Sequence, residues 1–346
     1  MVTVDCSADT DTMDTQNTMD TRNLGSLHTS ALGLGCMGMS GAYGPADHDE
    51  SVATVRRALD AGIVLLDTGD FYGMGHNELL LAESLRGVPR SDYQLSVKFG
   101  GQLGPDGAWV GLDTRPASVK AAAAYSLQRL GTDYIDVYRP ARLDPEVPIE
   151  DTVGAIGELV DLGYVRHIGL SEVGSETIRR AAGVRPICDL QIEYSLMSRG
   201  IERDILPACR ELGIGVTAYG VLSRGLLGGH WSSAGAGPGD FRSLSPRFSA
   251  ENVDRNLALV EALRQVAEDI GASPAQAAIA WVAARGSDIV PLIGAKTRGR
   301  LAEALGSTEI GLTDDQLARI DGAVPAEQVA GERYPAAHMA ALDSER

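Results

Sequence analysis

The chain has 346 residues, of which 44% are hydrophobic and 22% charged, a composition typical of a globular protein that excludes a disordered or fibrous chain. Its 30 basic and 47 acidic side chains give a formal net charge of −17. Such an acidic surface argues against general binding to nucleic acid or anionic lipid, although it leaves room for a local basic pocket. No apolar run reaches the roughly 20 residues of a membrane span, so no membrane partner is expected.

The four cysteines, Cys6, Cys36, Cys188 and Cys209, show no metal-ligand spacing and form no CxxC pair. A disulfide framework is not expected in so large and cysteine-poor a chain, which indicates a reducing, cytoplasmic compartment. Residues 1–22 are polar and acidic without the apolar core of a secretory signal, and we expect a flexible extension there. Residues 23–346 are expected to form one domain.

Short apolar runs alternate with longer amphipathic segments along most of the chain. A small hairpin is expected over residues 23–33. Strands are predicted at residues 32–37, 62–66, 94–97, 134–138, 167–170, 188–191, 214–218 and 289–293. Helices are predicted at residues 51–61, 78–85, 116–130, 149–162, 203–212, 254–270 and 274–285, and Thr313 to Gln316 form a capping-box-like start for a last helix that ends near Ala323.

Eight strands alternating with helices predict an α/β fold of the (β/α)8 barrel type. The alternative is a doubly wound open sheet, which Gly33, Gly35 and Gly38 favour because they spell GxGxxG. That fingerprint requires a helix directly after the glycines to hold a pyrophosphate. Residues 40–45 instead read SGAYGP and break a helix, so we predict the barrel.

Polar side chains at the carboxyl ends of barrel strands converge on one site. Asp67 and Lys98 end two successive predicted strands, and Tyr72 follows closely after Asp67. An ammonium group stabilises a phenolate and a carboxylate fixes the ammonium, so this trio suits protonation of a carbonyl oxygen while hydride reaches the carbon. The alternative is a buried Asp–Lys pair with Tyr72 as an ordinary loop aromatic.

Seven segments resemble the aldo-keto reductase family in order and spacing, over about residues 24–320. They read LDTGDFYG at 66–73, GHNE at 75–78, VKFG at 97–100, IGLSE at 168–172, QIEYS at 191–195, AYGVLSRG at 218–225 and PLIGAK at 291–296. The resemblance implies a barrel that reduces aldehydes and ketones with NADPH and without a metal. It also implies Tyr72 as general acid, Lys98 as the group that lowers its pKa, and Asp67 as the partner of Lys98.

The resemblance further implies a set of cofactor contacts. Ser171, Glu172 and Gln191 would meet the carboxamide side of the nicotinamide, and Tyr219 would stack on its ring. Leu222, Ser223 and Arg224 would follow the pyrophosphate, and Lys296, Arg300 and Glu303 would surround the 2′-phosphate end of the adenosine. The remaining implied contacts are Gly38, Met39, Asp67, Gly220, Gly294 and Ala295.

Besides Gly69, which replaces the usual alanine, two departures from the family pattern matter for the site. The family has a histidine in a stretch like Tyr-x-x-His-Arg, where residues 138–142 here read YRPAR and place Ala141 at the histidine position. The site therefore lacks one donor to the substrate oxygen and gains volume, unless Arg139 or Arg142 replaces that donor. Ala304 stands where many relatives carry an asparagine near the adenine, which puts that contact in doubt.

The expected substrate wall comprises Met39, Tyr43, Tyr72, Trp109 and Ala141, with the loop at residues 228–246 above it as either a surface insertion or a mobile lid. We predict an NADPH-dependent reductase of carbonyl compounds, among which bulky aldehydes such as pyridoxal or macrolide aldehydes are candidates. The alternative is an NADP(H)-binding regulatory subunit with little turnover. A metal-dependent hydrolase is disfavoured because no HxH or HExxH spacing is present. A homo-oligomer, the physiological substrate and the preferred direction of reaction stay open.

Overall fold

The computed structural model describes residues 19–231 and 240–346. An antiparallel hairpin of β1 (Thr21–Leu24) and β2 (Leu27–Ser30) precedes eight parallel strands that close into a barrel in chain order. The barrel strands are β3 (Gly33–Gly35), β4 (Leu65–Gly69), β5 (Gln94–Phe99), β8 (Ile135–Pro140), β9 (Val165–Ser171), β10 (Ile187–Glu193), β11 (Gly215–Tyr219) and β12 (Ile289–Gly294). A second hairpin, β6 (Gly101–Leu103) and β7 (Trp109–Leu112), follows β5.

Helices surround the barrel and cover it with their apolar faces. In the first of them, Val55 and Ala58 are fully buried, and Val52 and Leu59 pack against the same core. The helices are α1 (His48–Asp60), α2 (His76–Ser84), α3 (Pro116–Leu130), α4 (Ile149–Asp161), α5 (Ser175–Ala182), α6 (Ile205–Glu211), α7 (Val253–Asp269), α8 (Pro274–Ala283), α9 (Arg298–Leu305), α10 (Asp314–Ala323) and α11 (Ala336–Ala341). None of those in the described ranges is long and apolar enough to cross a membrane.

The first hairpin closes the amino-terminal end of the barrel. Its Leu24 and Leu27 form a buried cluster with one residue from each of four alternate barrel strands, namely Leu65, Val137, Cys188 and Val290. Gly215 is needed beneath it, because a Cβ at this position would lie 2.5 Å from Leu24 Cα. Since this end is plugged, the opposite end, where the strands terminate, is the open face for chemistry.

The predicted fold class is confirmed, and the open-sheet alternative is wrong. Residues 33–38 illustrate why: β3 is a barrel strand, and a short 3-10 turn at Met37–Ser40 follows it in place of an α-helix. The early hairpin is confirmed, although β1 begins at Thr21, within the predicted extension. The rest of that extension, residues 1–18, and the part of the loop at residues 232–239 lie outside the described residues. Helices α5, α9 and α11 were not predicted.

Candidate active site

The carboxyl ends of β4, β5 and β10 bring polar side chains into one buried network. Lys98 Nζ donates to Asp67 Oδ1 and, over 2.9 Å, to Gln191 Oε1. Gln191 Nε2 and Ser96 Oγ donate in turn to Asp67 Oδ2 over 2.6 and 2.7 Å. Because all four side chains are nearly inaccessible to solvent, the ammonium and the carboxylate are held in a fixed, charge-assisted arrangement. The amide of Gln191 is thus engaged with Asp67 and Lys98.

Tyr72 lies beside this network, at the start of a tight turn after β4. Lys98 Nζ is 5.0 Å from the centroid of the Tyr72 ring. The turn passes through Gly73 and Met74, whose φ angles are 57° and 55°. The left-handed region is uncommon for a non-glycine residue such as Met74 and is found disproportionately at functional sites. Asp67, Tyr72 and Lys98 therefore lie side by side.

Burial decides the protonation states of this group. It raises the pKa of Tyr72 well above its usual value, and the Asp67 carboxylate adds to the rise, while the cation of Arg142 opposes it. Burial likewise lowers the pKa of Lys98, and Asp67 counteracts that shift. The pKa of Tyr72 therefore lies above its usual value. A neighbouring ammonium by itself would have lowered it. The phenol keeps its proton at neutral pH, which a proton donor requires.

A second charged pair, not predicted from the sequence, lies within the barrel next to this network. Arg139 Nη2 is 3.1 Å from Asp189 Oδ2, and Arg139 Nη1 is 4.0 Å from Asp67 Oδ2. Thr217 Oγ1 also donates to Asp189. Gly169 makes room for the pair, because a Cβ there would lie 2.6 Å from Asp189 Oδ1 and 2.8 Å from Arg139 Nε. The sequence offered little signal for this pair, because the two strands carry other charged and polar residues as well, Asp136 in β8 and Gln191 and Glu193 in β10.

Ala141 follows β8 directly and its amide donates to the carbonyl of Phe99 over 2.8 Å, which fixes it beside the strand of Lys98. Only 1% of Ala141 is exposed. The preceding arginine, Arg139, is fully buried against Asp189 and does not stand in for a missing histidine. Arg142 comes next in the chain and is half-buried, with its Nη2 donating to the hydroxyl of Tyr334 over 3.2 Å.

Of the predicted carboxamide contacts, Ser171 ends β9 and is in register with Gln191, and Glu172 follows the strand. Ser171 Oγ is buried and has no hydrogen-bond partner within the described ranges. Glu172 has a φ of 55° and is bound by Arg333, whose Nη1 donates to Oε1 over 2.9 Å. Although burial would raise the pKa of Glu172, the Arg333 guanidinium lowers it to about 2. Glu172 is therefore ionised and already paired with the Arg333 guanidinium.

Two residues of the segment after α10 contact this part of the site, namely Arg333 at Glu172 and Tyr334 at Tyr219. The weak periodicity of residues 330–346 did not reveal them. Tyr219 donates its hydroxyl proton to Glu172 Oε1 over 2.7 Å, so its oxygen accepts from the hydroxyl of Tyr334 at 3.0 Å. Arg142 donates to that same Tyr334 oxygen. Each hydrogen bond of this chain therefore has a defined donor: Arg142 donates to Tyr334, Tyr334 to Tyr219, and Tyr219 to Glu172. The carboxyl-terminal segment forms part of the site.

The predicted pyrophosphate segment follows β11 as a strained turn. Ser223 and Arg224 have φ angles of 47° and 56°, in the left-handed region. Arg224 Nη2 donates to Glu193 Oε2 over 3.1 Å, and Arg247 Nη1 donates to Glu193 Oε1 over 3.3 Å. Gly220, with a φ of 66°, allows Glu193 to approach, since a Cβ would lie 3.1 Å from Glu193 Cγ. Leu222 is the residue that leads into the turn.

The predicted adenosine end lies at the junction of β12 and α9. Lys296 Nζ donates to the carbonyls of Tyr43 and Pro45 over 2.9 and 3.1 Å. Gly38 is close to this side chain, because a Cβ there would lie 3.3 Å from Lys296 Cγ. Arg300 is half exposed and donates to Glu303 Oε2 over 3.0 Å. Gly294 and Ala295 connect the strand to these cations.

The predicted substrate wall is divided between buried and exposed residues. Met39 and Ala141 are buried, and Tyr43 is half-buried with the Arg242 guanidinium 5.6 Å from its ring centroid. Trp109 is 52% exposed and packs edge-on against Phe71, with the ring centroids 5.9 Å apart. The β6–β7 hairpin therefore carries an aromatic side chain at the rim, beside the residue that precedes Tyr72.

Comparison with known proteins agrees with this architecture. The sequence model of the aldo/keto reductase family matches residues 31–325. A curated relative, "Probable aldo-keto reductase 1" of Glycine max, is 40% identical over 311 residues, which cover 89% of this chain and 89% of the relative. The chain therefore belongs to the aldo/keto reductase family, whose members are oxidoreductases that act on carbonyl compounds and generally use nicotinamide cofactors.

Solved structures show the same fold. The glycerol dehydrogenase AKR11B4 from Gluconobacter oxydans superimposes with a TM-score of 0.81 at 30% identity, covering 92% of this chain and 98% of that one. The holo form of the aldo-keto reductase AKR11C1 from Bacillus halodurans gives a TM-score of 0.76 at 27% identity, covering 89% and 97%.

Proposed function

We propose that this chain reduces aldehyde or ketone carbonyls to alcohols with NADPH. The observation that carries the proposal is the buried Asp67–Lys98 pair, whose ammonium lies 5.0 Å from the centroid of the Tyr72 ring. Burying two charges is costly unless they are paired and hydrogen-bonded, and here the pair lies beside the phenol of Tyr72. Such an arrangement suits proton transfer more than cofactor binding alone.

In the proposed reaction, bound reduced nicotinamide supplies hydride to the carbonyl carbon. Tyr72 donates its phenolic proton to the carbonyl oxygen. Lys98 stabilises the phenolate that remains, and Asp67 holds the ammonium in place together with Gln191. Burial raises the pKa of the phenol, so Tyr72 stays neutral before the reaction. The Lys98 ammonium therefore stabilises the phenolate only as its charge develops in the transition state.

The residues present fit a nicotinamide nucleotide. A buried hydroxyl without a partner, such as Ser171 Oγ, costs about 1–3 kcal/mol, which a carboxamide would offset by a hydrogen bond. Lys296 and Arg300 provide cations for a 2′-phosphate, which favours NADPH over NADH, with Glu303 orienting Arg300. The other proposed contacts are Gly38, Met39, Asp67, Glu172, Gln191, Tyr219, Gly220, Leu222, Ser223, Arg224, Gly294 and Ala295.

The proposed substrates are bulky aldehydes, of which pyridoxal and macrolide aldehydes are examples. Ala141 provides volume and no donor, so Tyr72 has to rely on reactive carbonyls or on remote contacts that position them. The aromatic rim at Trp109 suits a ring or another large apolar group. Met39 and Tyr43 complete the proposed wall.

A regulatory subunit that binds NADP(H) with little turnover is the second candidate, and Ala141 is the observation that favours it. The two candidates differ in one measurement, the loss of NADPH absorbance with a panel of aldehydes. Tyr72→Phe should lower kcat by roughly 10²–10⁴-fold, the usual contribution of general acid catalysis, with the Kd for NADPH nearly unchanged. Tyr125→Phe, which changes an exposed tyrosine on α3, is the matched control. No turnover by wild type, or equal turnover by both variants, contradicts the proposal.

A further inference from the structure

Arg142 differs from the other arginines at the carboxyl end of the barrel. Within residues 19–231 and 240–346, no carboxylate lies within 4.0 Å of its guanidinium. The others each have a partner: Arg224 and Arg247 at Glu193, and Arg333 at Glu172. Arg142 is thus a cation of this site without a direct ion pair among the described residues. The Glu172 carboxylate acts on it only from a distance, across the hydroxyls of Tyr334 and Tyr219.

The hydrogen bonds of Arg142 leave most of its donors free. Nη1 donates to the carbonyl of Ala141 over 2.6 Å and Nη2 to the hydroxyl of Tyr334 over 3.2 Å, and both acceptors are neutral. A guanidinium has five N–H donors in a planar fork that matches a carboxylate. A half-buried cation with no carboxylate in contact gains from an incoming anion, since its water has already been partly removed.

The position of Arg142 puts this free charge beside the reacting group. Its neighbour Ala141 is bonded to the carbonyl of Phe99, one residue after Lys98 on β5. Its positive charge acts on both Tyr72 and Lys98. Burial has the largest effect on the pKa of each group, and the charge of Arg142 lowers both pKa values. Ala141 contributes only a methyl group and no donor, so it offers no hydrogen bond that would compete with the guanidinium for a ligand.

We propose that Arg142 binds a carboxylate of the substrate, so that the preferred substrates are aldehydes that also carry a carboxylate group. The inference rests on the proposed function and names the substrate class of the same site. The competing explanation is that Arg142 donates to the carbonyl oxygen in place of the family's histidine. In that case charged and neutral aldehydes would depend on it equally.

The test compares each carboxybenzaldehyde isomer, meta and para, with the matching neutral carbamoylbenzaldehyde. For wild type, at least one isomer should show a higher kcat/KM as carboxylate than as carboxamide. In Arg142→Met that ratio should fall by roughly 10- to 150-fold, the range for a hydrogen bond to a charged group. Arg142→Lys should retain part of the ratio, because it keeps the charge and loses the fork. Arg203→Met, at a highly exposed arginine, should leave the ratio unchanged.

Failure of this inference can be told from failure of the proposed function. If the carboxamides are reduced and Arg142→Met leaves the ratio within about twofold, the substrate carboxylate does not bind at Arg142. If kcat/KM falls by the same factor for the carboxylate and the carboxamide, Arg142 acts on the carbonyl oxygen instead. Calorimetry with benzoate and benzamide is independent of turnover. Benzoate should bind more tightly to wild type than to Arg142→Met, and equal binding to the two proteins overturns the inference.

Discussion

Removal of one partner from the buried Arg139–Asp189 pair is expected to destabilise the barrel strongly. Only 1% of the Arg139 side chain and none of the Asp189 side chain is exposed, and the two charges are 3.1 Å apart. In Arg139→Met, the Asp189 carboxylate keeps the Thr217 hydroxyl and loses its counter-charge. Since a buried charge is left uncompensated, we expect the free energy of unfolding to fall by about 3–5 kcal/mol at about pH 8.

The pH dependence of this loss follows from the pKa of Asp189. Burial raises that pKa, and Arg139 and Thr217 oppose the rise, so removal of the guanidinium raises it further. A carboxyl with a higher pKa in the folded than in the unfolded state binds its proton more tightly when folded. Its cost to stability therefore grows as the pH rises from the unfolded pKa, about 3.9, towards the folded one. Arg139→Met should lie closer to wild type at about pH 5 than at about pH 8.

Urea unfolding followed by circular dichroism measures both effects. The double variant Arg139→Met with Asp189→Asn removes both charges and should recover at least about half of the lost stability. Arg179→Met, in an exposed pair with Glu211, is the matched control and should cost no more than about 1 kcal/mol. A loss below about 1 kcal/mol for Arg139→Met, or an equal loss in the double variant, would refute the reasoning.

Three further predictions concern the site and its support. Ala141→His should lower kcat/KM for bulky aldehydes and spare or improve small ones, because it fills volume and restores a donor; an equal change for both sizes would show that position 141 does not discriminate by size. Lys296→Ala combined with Arg300→Ala should raise the Kd for NADPH far more than that for NADH, each lost charged hydrogen bond counting for roughly 1.5–3 kcal/mol, whereas equal losses would remove these cations from the 2′-phosphate site. Asp70→Asn should stabilise the fold above pH 7, since burial and the nearby Glu78 raise the pKa of Asp70 to about 7 and its ionisation opposes folding; denaturant midpoints that shift equally with pH in both proteins would contradict this.

The local pattern of the sequence was sufficient for the architecture. Residues 94–97 were predicted as a strand and belong to β5, and residues 116–130 were predicted as a helix and form α3 with the same bounds. These elements are readable because one face or one run of each is buried, and burial imposes a period on the sequence. Helices α5 and α9 are eight residues long and were missed, since two turns give few repeats of a period, although the seven-residue α6 was predicted within residues 203–212.

The sequence by itself also indicated which polar residues lie near the carboxyl ends of the strands, because strand ends are local features that motif order and spacing reveal. Asp67 and Lys98 lie within two residues of the ends of β4 and β5. Only the tertiary structure decided what those residues contact. Arg139 and Asp189 lie on strands 50 residues apart in the chain and meet only because the barrel brings their strands close. Arg333 contacts Glu172 through its charge, and Tyr334 contacts Tyr219 through its hydroxyl group. Neither contact uses an apolar stripe, so no hydrophobic periodicity in the sequence predicted them. Pairings between distant residues depend on how the barrel closes, and a closed barrel is a property of the whole chain.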